Sequence, residues 1–152
     1  MNESLRMKAA AFLVVATILL LAPPAWGRSH RSPFFQYVAG TEPLPQGCDG
    51  KLEVKEKALE FQCGGAAVTV PYKSITEMEY RPTVSKGIRK MKLNWVIKPS
   101  SSHGKHEGFF TVLFSDNKQT HAIILKVSNA TMRPYMAEID LKTGQTIHSH
   151  SD

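Results

Sequence analysis

Apolar and polar residues alternate along two neighbouring stretches in the first half of the chain. The alternation covers residues 50–54 and residues 58–63, with the polar pair Lys55-Glu56 between them. Period-two alternation on both sides of a short polar turn predicts a β-hairpin. A turn at Lys55-Glu56 then sets the cross-strand pairs on one face of the sheet as Leu52 with Leu59, Gly50 with Phe61, and Cys48 with Cys63.

Similar patterns predict five more strands after this hairpin. These strands are Ala67–Val70, Ile75–Tyr80, Met91–Ile97, Phe109–Phe114 and Thr120–Val127. An extended segment, residues 28–49, leads into the domain and contains a candidate strand at Phe34–Val38. Pro43 and Pro45 prevent regular strand pairing in the rest of that segment.

One amphipathic helix is predicted after the last strand. Ser128 or Asn129 provides the N-cap, and regular helix should begin around Pro134, because proline is tolerated only near a helix start. Gly144 is a natural residue to end it. Its apolar stripe consists of Met132, Tyr135, Met136 and Ile139. The sequence therefore predicts an all-β domain at residues 50–147, with about seven antiparallel strands capped by one C-terminal helix, and a disordered tail at residues 148–152.

The longest apolar run lies at the start of the chain. Arg6 and Lys8 precede the uncharged run Ala9–Ala22, and two prolines and Ala25-Trp26-Gly27 follow it. This order is typical of a secretory signal peptide, and the run of about 14 residues is shorter than a membrane-spanning helix. We predict a signal peptide at residues 1–27, cleaved after Gly27, and a periplasmic or secreted protein. An uncleaved segment that tethers the domain to the membrane is the alternative.

Two cysteines, Cys48 and Cys63, lie at the ends of the predicted hairpin. Directly opposed residues of paired strands have Cβ atoms about 4.5–5.5 Å apart, close to the separation in a disulfide. An even number of cysteines in an exported chain also favours pairing. We predict a Cys48–Cys63 disulfide. Two free thiols or a redox pair are the alternatives, although the spacing is not C-x-x-C.

Three stretches of the sequence carry a resemblance to a known superfamily. They are Gly50-x-Leu52-x-Val54, Leu59-x-Phe61, and Val70-Pro71-Tyr72 continued through Ile75 and Met78-Glu79-Tyr80. These stretches, and the final strand followed by a helix, resemble the pleckstrin-homology-like (PH-like) superfamily with its GRAM-type branch. Tyr37–Thr41 with Leu44-Pro45 is similar to the start of small exported bacterial members.

The resemblance implies two near-orthogonal antiparallel sheets that close a small barrel, or split β-sandwich, with the helix plugging one end. Members that bind phosphoinositides hold the lipid phosphates with basic residues on the first two strands and the loop between them. Here that loop is Lys55-Glu56-Lys57, in which the glutamate opposes the lysines. Inositol-lipid binding is therefore not expected, and a fold does not by itself transfer a function.

Positive charge is concentrated in the second half of the chain. The net charge is +6, and residues 81–108 alone contain seven lysines and arginines against Glu107. Lys90, Lys92 and Lys98 would share the outer face of the predicted strand Met91–Ile97, beside a flexible loop. Such a surface can bind an anionic membrane, whereas the alternative is a solvated edge on which lysine prevents unwanted strand pairing. The candidate anionic-surface residues are Lys86, Arg89, Lys90, Lys92, Lys98 and Lys105.

No catalytic set, cofactor motif or metal site is predicted. The sequence lacks G-x-S-x-G, and its histidine pairs, His103 with His106 and His148 with His150, are separate in sequence where a metal needs three or four convergent ligands. Aromatic residues do not alternate with the basic ones as nucleic-acid-binding surfaces require. We therefore expect neither an enzyme nor a nucleic-acid-binding protein.

These features together predict an exported, non-enzymatic binding module. A protein or peptide partner in the cell envelope would dock on an exposed sheet edge or beside the helix. The alternative is a peripheral module that binds anionic lipid through the basic strand and loop. A small-ligand carrier would need a cavity inside the barrel, and the number of apolar residues predicts a filled interior.

Overall fold

The structure is a computed structural model that describes residues 34–95 and 106–149. The predicted signal peptide at residues 1–27 lies outside the described residues, as do Lys98 and Lys105. No helix in these two ranges has the length and apolar character needed to cross a membrane.

The described residues form a mostly β structure with one long helix, which confirms the predicted all-β class. Its strands are β1 (Phe35–Gly40), β2 (Asp49–Val54), β3 (Ala58–Cys63), β4 (Ala66–Pro71), β5 (Ile75–Arg81), β6 (Asn94–Trp95), β7 (Glu107–Asp116), β8 (Gln119–Ser128) and β9 (His148–Ser149). Its helices are α1 (Lys86–Arg89), α2 (Asn129–Thr143) and a 3-10 turn at Tyr72–Ser74.

The strands form one open sheet in the order β4-β3-β2-β1-β8-β7-β5-β9, and β6 pairs with β1. Every pairing is antiparallel except that of β5 with β9. The predicted barrel closure is not found in the described residues, because β9 occupies the outer edge of β5 and β4 ends at Pro71. His148 and Ser149 thus form a short strand where a disordered tail is predicted.

The β2–β3 hairpin is confirmed, but the predicted register is wrong by two residues. The observed pairs are Gly50 with Cys63, Leu52 with Phe61, and Val54 with Leu59. The turn lies at Glu56-Lys57, one residue later than predicted, and the Lys55 N–H donates a hydrogen bond to the Ala58 carbonyl at 3.0 Å. A shift of two residues leaves each side chain on its predicted face, so the predicted core residues are still correct.

The predicted strand Met91–Ile97 is wrong over most of its described part. The chain forms α1, a turn and the two-residue strand β6 instead. Val84, Ile88 and Leu93 are buried against the outer face of the sheet, where they contact residues of β1, β7 and β8. The segment therefore lies across the sheet as a cover and does not add a strand to its edge. Lys90 and Lys92 consequently do not share the face of a strand.

Helix α2 begins one turn earlier than predicted. The Ser128 hydroxyl accepts a hydrogen bond from the Thr131 N–H at 3.2 Å, and Pro134 lies inside the helix. Proline is tolerated there because the carbonyl that it leaves unpaired belongs to Ala130, which is exposed. Gly144 ends the helix with a φ of 67°, as predicted. The apolar stripe packs on the main core, with Met132 and Ile139 fully buried.

The interior between the sheet and α2 is filled. A void of about 10 Å³ lies among Leu52, Phe61, Val112 and Leu125. This volume is about that of one water-sized probe sphere, so it holds at most a single water molecule. The described interior therefore does not support the small-ligand carrier.

Tyr37 gives the core a measurable pH dependence. Its hydroxyl donates to the Glu42 carbonyl at 3.2 Å, and burial, with a smaller contribution from the Glu42 charge, raises its pKa from 10.0 to about 12. The stabilisation of the folded state that comes from this pKa shift of Tyr37 is complete below about pH 10 and is lost towards about pH 12, because in that range the hydroxyl ionises only in the unfolded state. We expect the free-energy advantage of wild type over Tyr37→Phe to fall by about 1–2 kcal/mol between these pH values in urea unfolding. A constant difference would contradict this assignment.

Candidate functional site

The predicted disulfide is present and anchors the segment that leads into the sheet. Cys48 and Cys63 are bonded with their Cα atoms 5.9 Å apart. Cys48 lies diagonally across from Cys63, because Gly50 occupies the directly opposed position. The Cys48 carbonyl accepts a hydrogen bond from the Tyr37 N–H at 2.9 Å, which connects the disulfide to β1. A disulfide is consistent with an oxidising, exported environment.

Strand β4 lies at one end of the sheet and pairs only with β3 in the described residues. Its register continues into the 3-10 turn, where the Tyr72 N–H donates to the Lys57 carbonyl at 3.0 Å. Hydrogen-bonded pairs recur every second residue in an antiparallel ladder. The backbone groups of Ala67 and Thr69 therefore point away from β3 towards the open edge. Pro71 points the same way but has no N–H to donate.

A shallow open groove of about 500 Å³ lies at the N-terminal end of β4. Phe34 forms one wall and is 59% exposed, a large value for an aromatic side chain. The turn Gly64-Gly65 also lines the groove, and its φ angles of +56° and +81° favour glycine. The remaining lining residues are Asp49, Gly50, Lys51, Gln62, Cys63, Ala66 and Ala67.

Charged side chains beside this edge neutralise one another. Glu60 accepts hydrogen bonds from Lys55, Gln62 and Thr69, and these contacts, led by Lys55, hold the pKa of its carboxyl below the usual range. The Lys51 ammonium group lies 2.9 Å from the Glu53 carboxylate. The surface around Ala67 and Thr69 therefore offers backbone hydrogen bonds without a strong local charge.

The basic residues predicted to bind an anionic surface have a different setting. Lys86 and Arg89 lie on α1, and Lys90 and Lys92 follow directly after it. All four side chains are exposed, and in the described part of the chain none of them forms an ion pair. The structure thus brings these four cations together on one short segment. Lys98 and Lys105 lie outside the described residues.

A buried carboxylate fixes the start of this basic segment. Glu79 is 2% exposed, and its Oε1 accepts a hydrogen bond from the Ser85 N–H at 3.3 Å. Its Oε2 lies 3.0 Å from Arg81 Nε, within ion-pair distance, although the Nε–H is not directed at the carboxylate. Directly across the strand pair, the buried Thr111 hydroxyl has no hydrogen-bond partner among residues 34–95 and 106–149. Glu79 therefore positions the turn that leads into α1.

The described histidines do not converge on a metal site. Among residues 34–95 and 106–149, no cluster of three or more His, Cys, Asp or Glu side chains could hold a metal ion. His121 stacks on Phe114 and its Nδ1 lies 3.0 Å from Glu42 Oε1, so it connects β8 to the segment after β1. This contact is structural.

The sequence prediction did not identify Phe34 or Thr69 as surface residues of interest. Phe35 and Tyr37 point into the core, so the period-two rule places Phe34 and Gln36 on the opposite face. That parity was available in the sequence. The edge position of β4 could not be predicted from the sequence, since it depends on which strands pair in the folded sheet.

Scanned against models of protein families, the chain matches none, and a search of curated proteins also finds no match.

Proposed function

We propose that this protein is an exported, non-enzymatic binding module with a PH-like fold. The edge of β4 would take up an extended, uncharged segment of a protein or peptide partner in the cell envelope. The observation that carries the proposal is the pair of residues Ala67 and Thr69, whose backbone groups face outward from an open sheet edge. The chain order of the strands β1–β5, β7 and β8, followed by the C-terminal helix, supports the PH-like assignment.

Strand addition suits this edge for two reasons. Backbone hydrogen bonds supply affinity with little demand on the partner's sequence, and side-chain contacts beside the edge supply selectivity. Phe34, which is exposed, and the groove that it lines can provide such contacts, since aromatic residues including phenylalanine are enriched in the buried cores of interfaces. Pro71 limits the added strand to the first part of β4, because it offers no N–H.

A single substitution tests the edge. Thr69→Pro removes an outward N–H and an exposed side-chain hydrogen bond to Glu60, but no backbone hydrogen bond to β3, so the domain should still fold. We expect peptides of about ten residues, selected from a random display library against the full chain as cells process it, to bind this variant about tenfold more weakly. The loss reflects one to two hydrogen bonds of about 1 kcal/mol each. Fluorescence anisotropy measures the affinity.

Thr69→Val is the matched control. It removes the hydroxyl that donates to Glu60, as Thr69→Pro also does, but it keeps the outward N–H. Binding equal to wild type is expected for this variant. In the wild-type protein, bound peptide should also slow hydrogen exchange at the Ala67 and Thr69 amides. Equal peptide affinities for wild type and Thr69→Pro would overturn the proposal.

A further inference from the structure

Four exposed cations, within residues 86–92, lie on a segment that is held firmly against the sheet. This basic segment comprises residues 82–95. Val84, Ile88 and Leu93 are buried between the segment and the outer sheet face, with exposed fractions of 1%, 4% and 9%. The Ser85 N–H bond to buried Glu79 fixes the start of the segment. Because the apolar residues face the sheet, the cations project from the opposite side of the same segment.

This concentration of unpaired charge is unusual within the molecule. Four other described lysines are neutralised by carboxylates, namely Lys51, Lys55, Lys126 and Lys142. The remaining described lysines and arginine without an ion pair, Lys57, Lys73, Lys118 and Arg133, lie far apart in the sequence. Residues 82–95 contain no acidic residue, and Glu79, whose carboxylate accepts the Ser85 N–H, is buried. The positive field of Lys86, Arg89, Lys90 and Lys92 is therefore directed outward and is not cancelled locally.

The shape of this surface favours a flat anionic partner. The groove beside β4 includes no residue of the segment, and the segment's strand β6 is only two residues long. Strand addition therefore has little basis here, whereas charge alone is enough to attract this segment to a membrane surface that carries many negative charges. Trp95, half-buried at the end of the segment, is a residue type that favours the interface between lipid and water.

We propose that Lys86, Arg89, Lys90 and Lys92 form a docking surface for an anionic lipid bilayer. This surface is separate from the β4 edge, and it works through charge and not through a lipid-specific pocket. It orients the domain with the outer face of β1, β7 and β8 towards the membrane, which leaves the β4 edge available to a partner.

Vesicle co-sedimentation tests this docking surface. The probe is a phosphatidylcholine vesicle with about 30 mol% phosphatidylglycerol, compared with pure phosphatidylcholine, and the protein is the full chain as cells process it. Neutralising two cations in Lys90→Gln/Lys92→Gln should weaken binding to the anionic vesicle by about 30-fold. Binding of wild type should also fall steeply with added salt, because exposed charges are screened.

The double variant Lys73→Gln/Arg133→Gln is the matched control. It removes the same charge from two exposed residues that form no ion pair in the described structure, and it should change vesicle binding by less than about threefold. Equal losses in the two double variants would show an effect of net charge alone and would overturn the proposal.

Stronger binding to soluble dextran sulfate than to the anionic vesicle, at equal charge, would also overturn the membrane-docking proposal in favour of an acidic polymer. Thr69→Pro should bind vesicles as wild type does, so the failure of one proposal is distinguishable from the failure of the other.

Discussion

Replacing both cysteines, in Cys48→Ser/Cys63→Ser, is expected to lower the free energy of unfolding by about 3 kcal/mol. The disulfide spans a sequence separation of 15 residues, and its loss frees the unfolded chain to explore many more conformations. The folded state is affected as well, because the Cys48 carbonyl that bonds the Tyr37 N–H is no longer held near β3. Urea unfolding followed by tryptophan fluorescence measures the change.

Reduction of the wild-type protein is the control for this substitution. A mild reductant should lower the free energy of unfolding by a similar amount, and the effect should be absent in the double serine variant. Before reduction, the wild-type chain should take up no iodoacetamide at Cys48 or Cys63, because the two sulfurs are bonded to each other. A decrease of less than about 1 kcal/mol in the free energy of unfolding would mean that packing, without the disulfide, is enough to hold the chain around Cys48 against β3.

The β2–β3 hairpin shows what the alternation pattern does and does not determine. Leu52, Leu59 and Phe61 are on the predicted face because the pattern fixes the parity of each strand. The pattern leaves shifts of two residues undetermined, and a shift of this size moved the turn to Glu56-Lys57. The disulfide formed despite this shift, since a diagonal pair of residues still lies within reach of a bond.

The basic segment, residues 82–95, shows where the local sequence pattern fails to predict the structure. Met91, Leu93 and Trp95 alternate as they would in a strand, yet the chain there crosses the outer face of the sheet. Val84 and Ile88 have helical spacing, and their burial depends on an apolar outer face formed by β1, β7 and β8. That outer face exists only after distant strands have paired, so the sequence predicted the cluster of charge but not the surface that displays it. Tertiary packing overrides local propensity in such segments.

Glu79→Ala is expected to lower the free energy of unfolding by about 3 kcal/mol, near the lower end of the range for a broken buried ion pair. The buried carboxylate is the acceptor for the Ser85 N–H and the counter-ion of Arg81. The cost stays moderate because the Arg81 side chain is 35% exposed, so water can solvate its charge once Glu79 is absent. The loss should appear in urea unfolding and as faster amide exchange in α1.

Two companion variants separate the hydrogen bond from the charge. Glu79→Gln keeps an acceptor for the Ser85 N–H and should cost about 1–2 kcal/mol, less than Glu79→Ala. Thr111→Val, on the strand residue directly opposite, removes a buried hydroxyl that has no partner in the described part of the chain and should be neutral or slightly stabilising. If Glu79→Ala leaves both stability and exchange in α1 unchanged, then the apolar contacts of Val84, Ile88 and Leu93 alone hold the basic segment. If it loosens α1, vesicle binding should weaken in parallel, because the four cations are then no longer held on one side of a fixed segment.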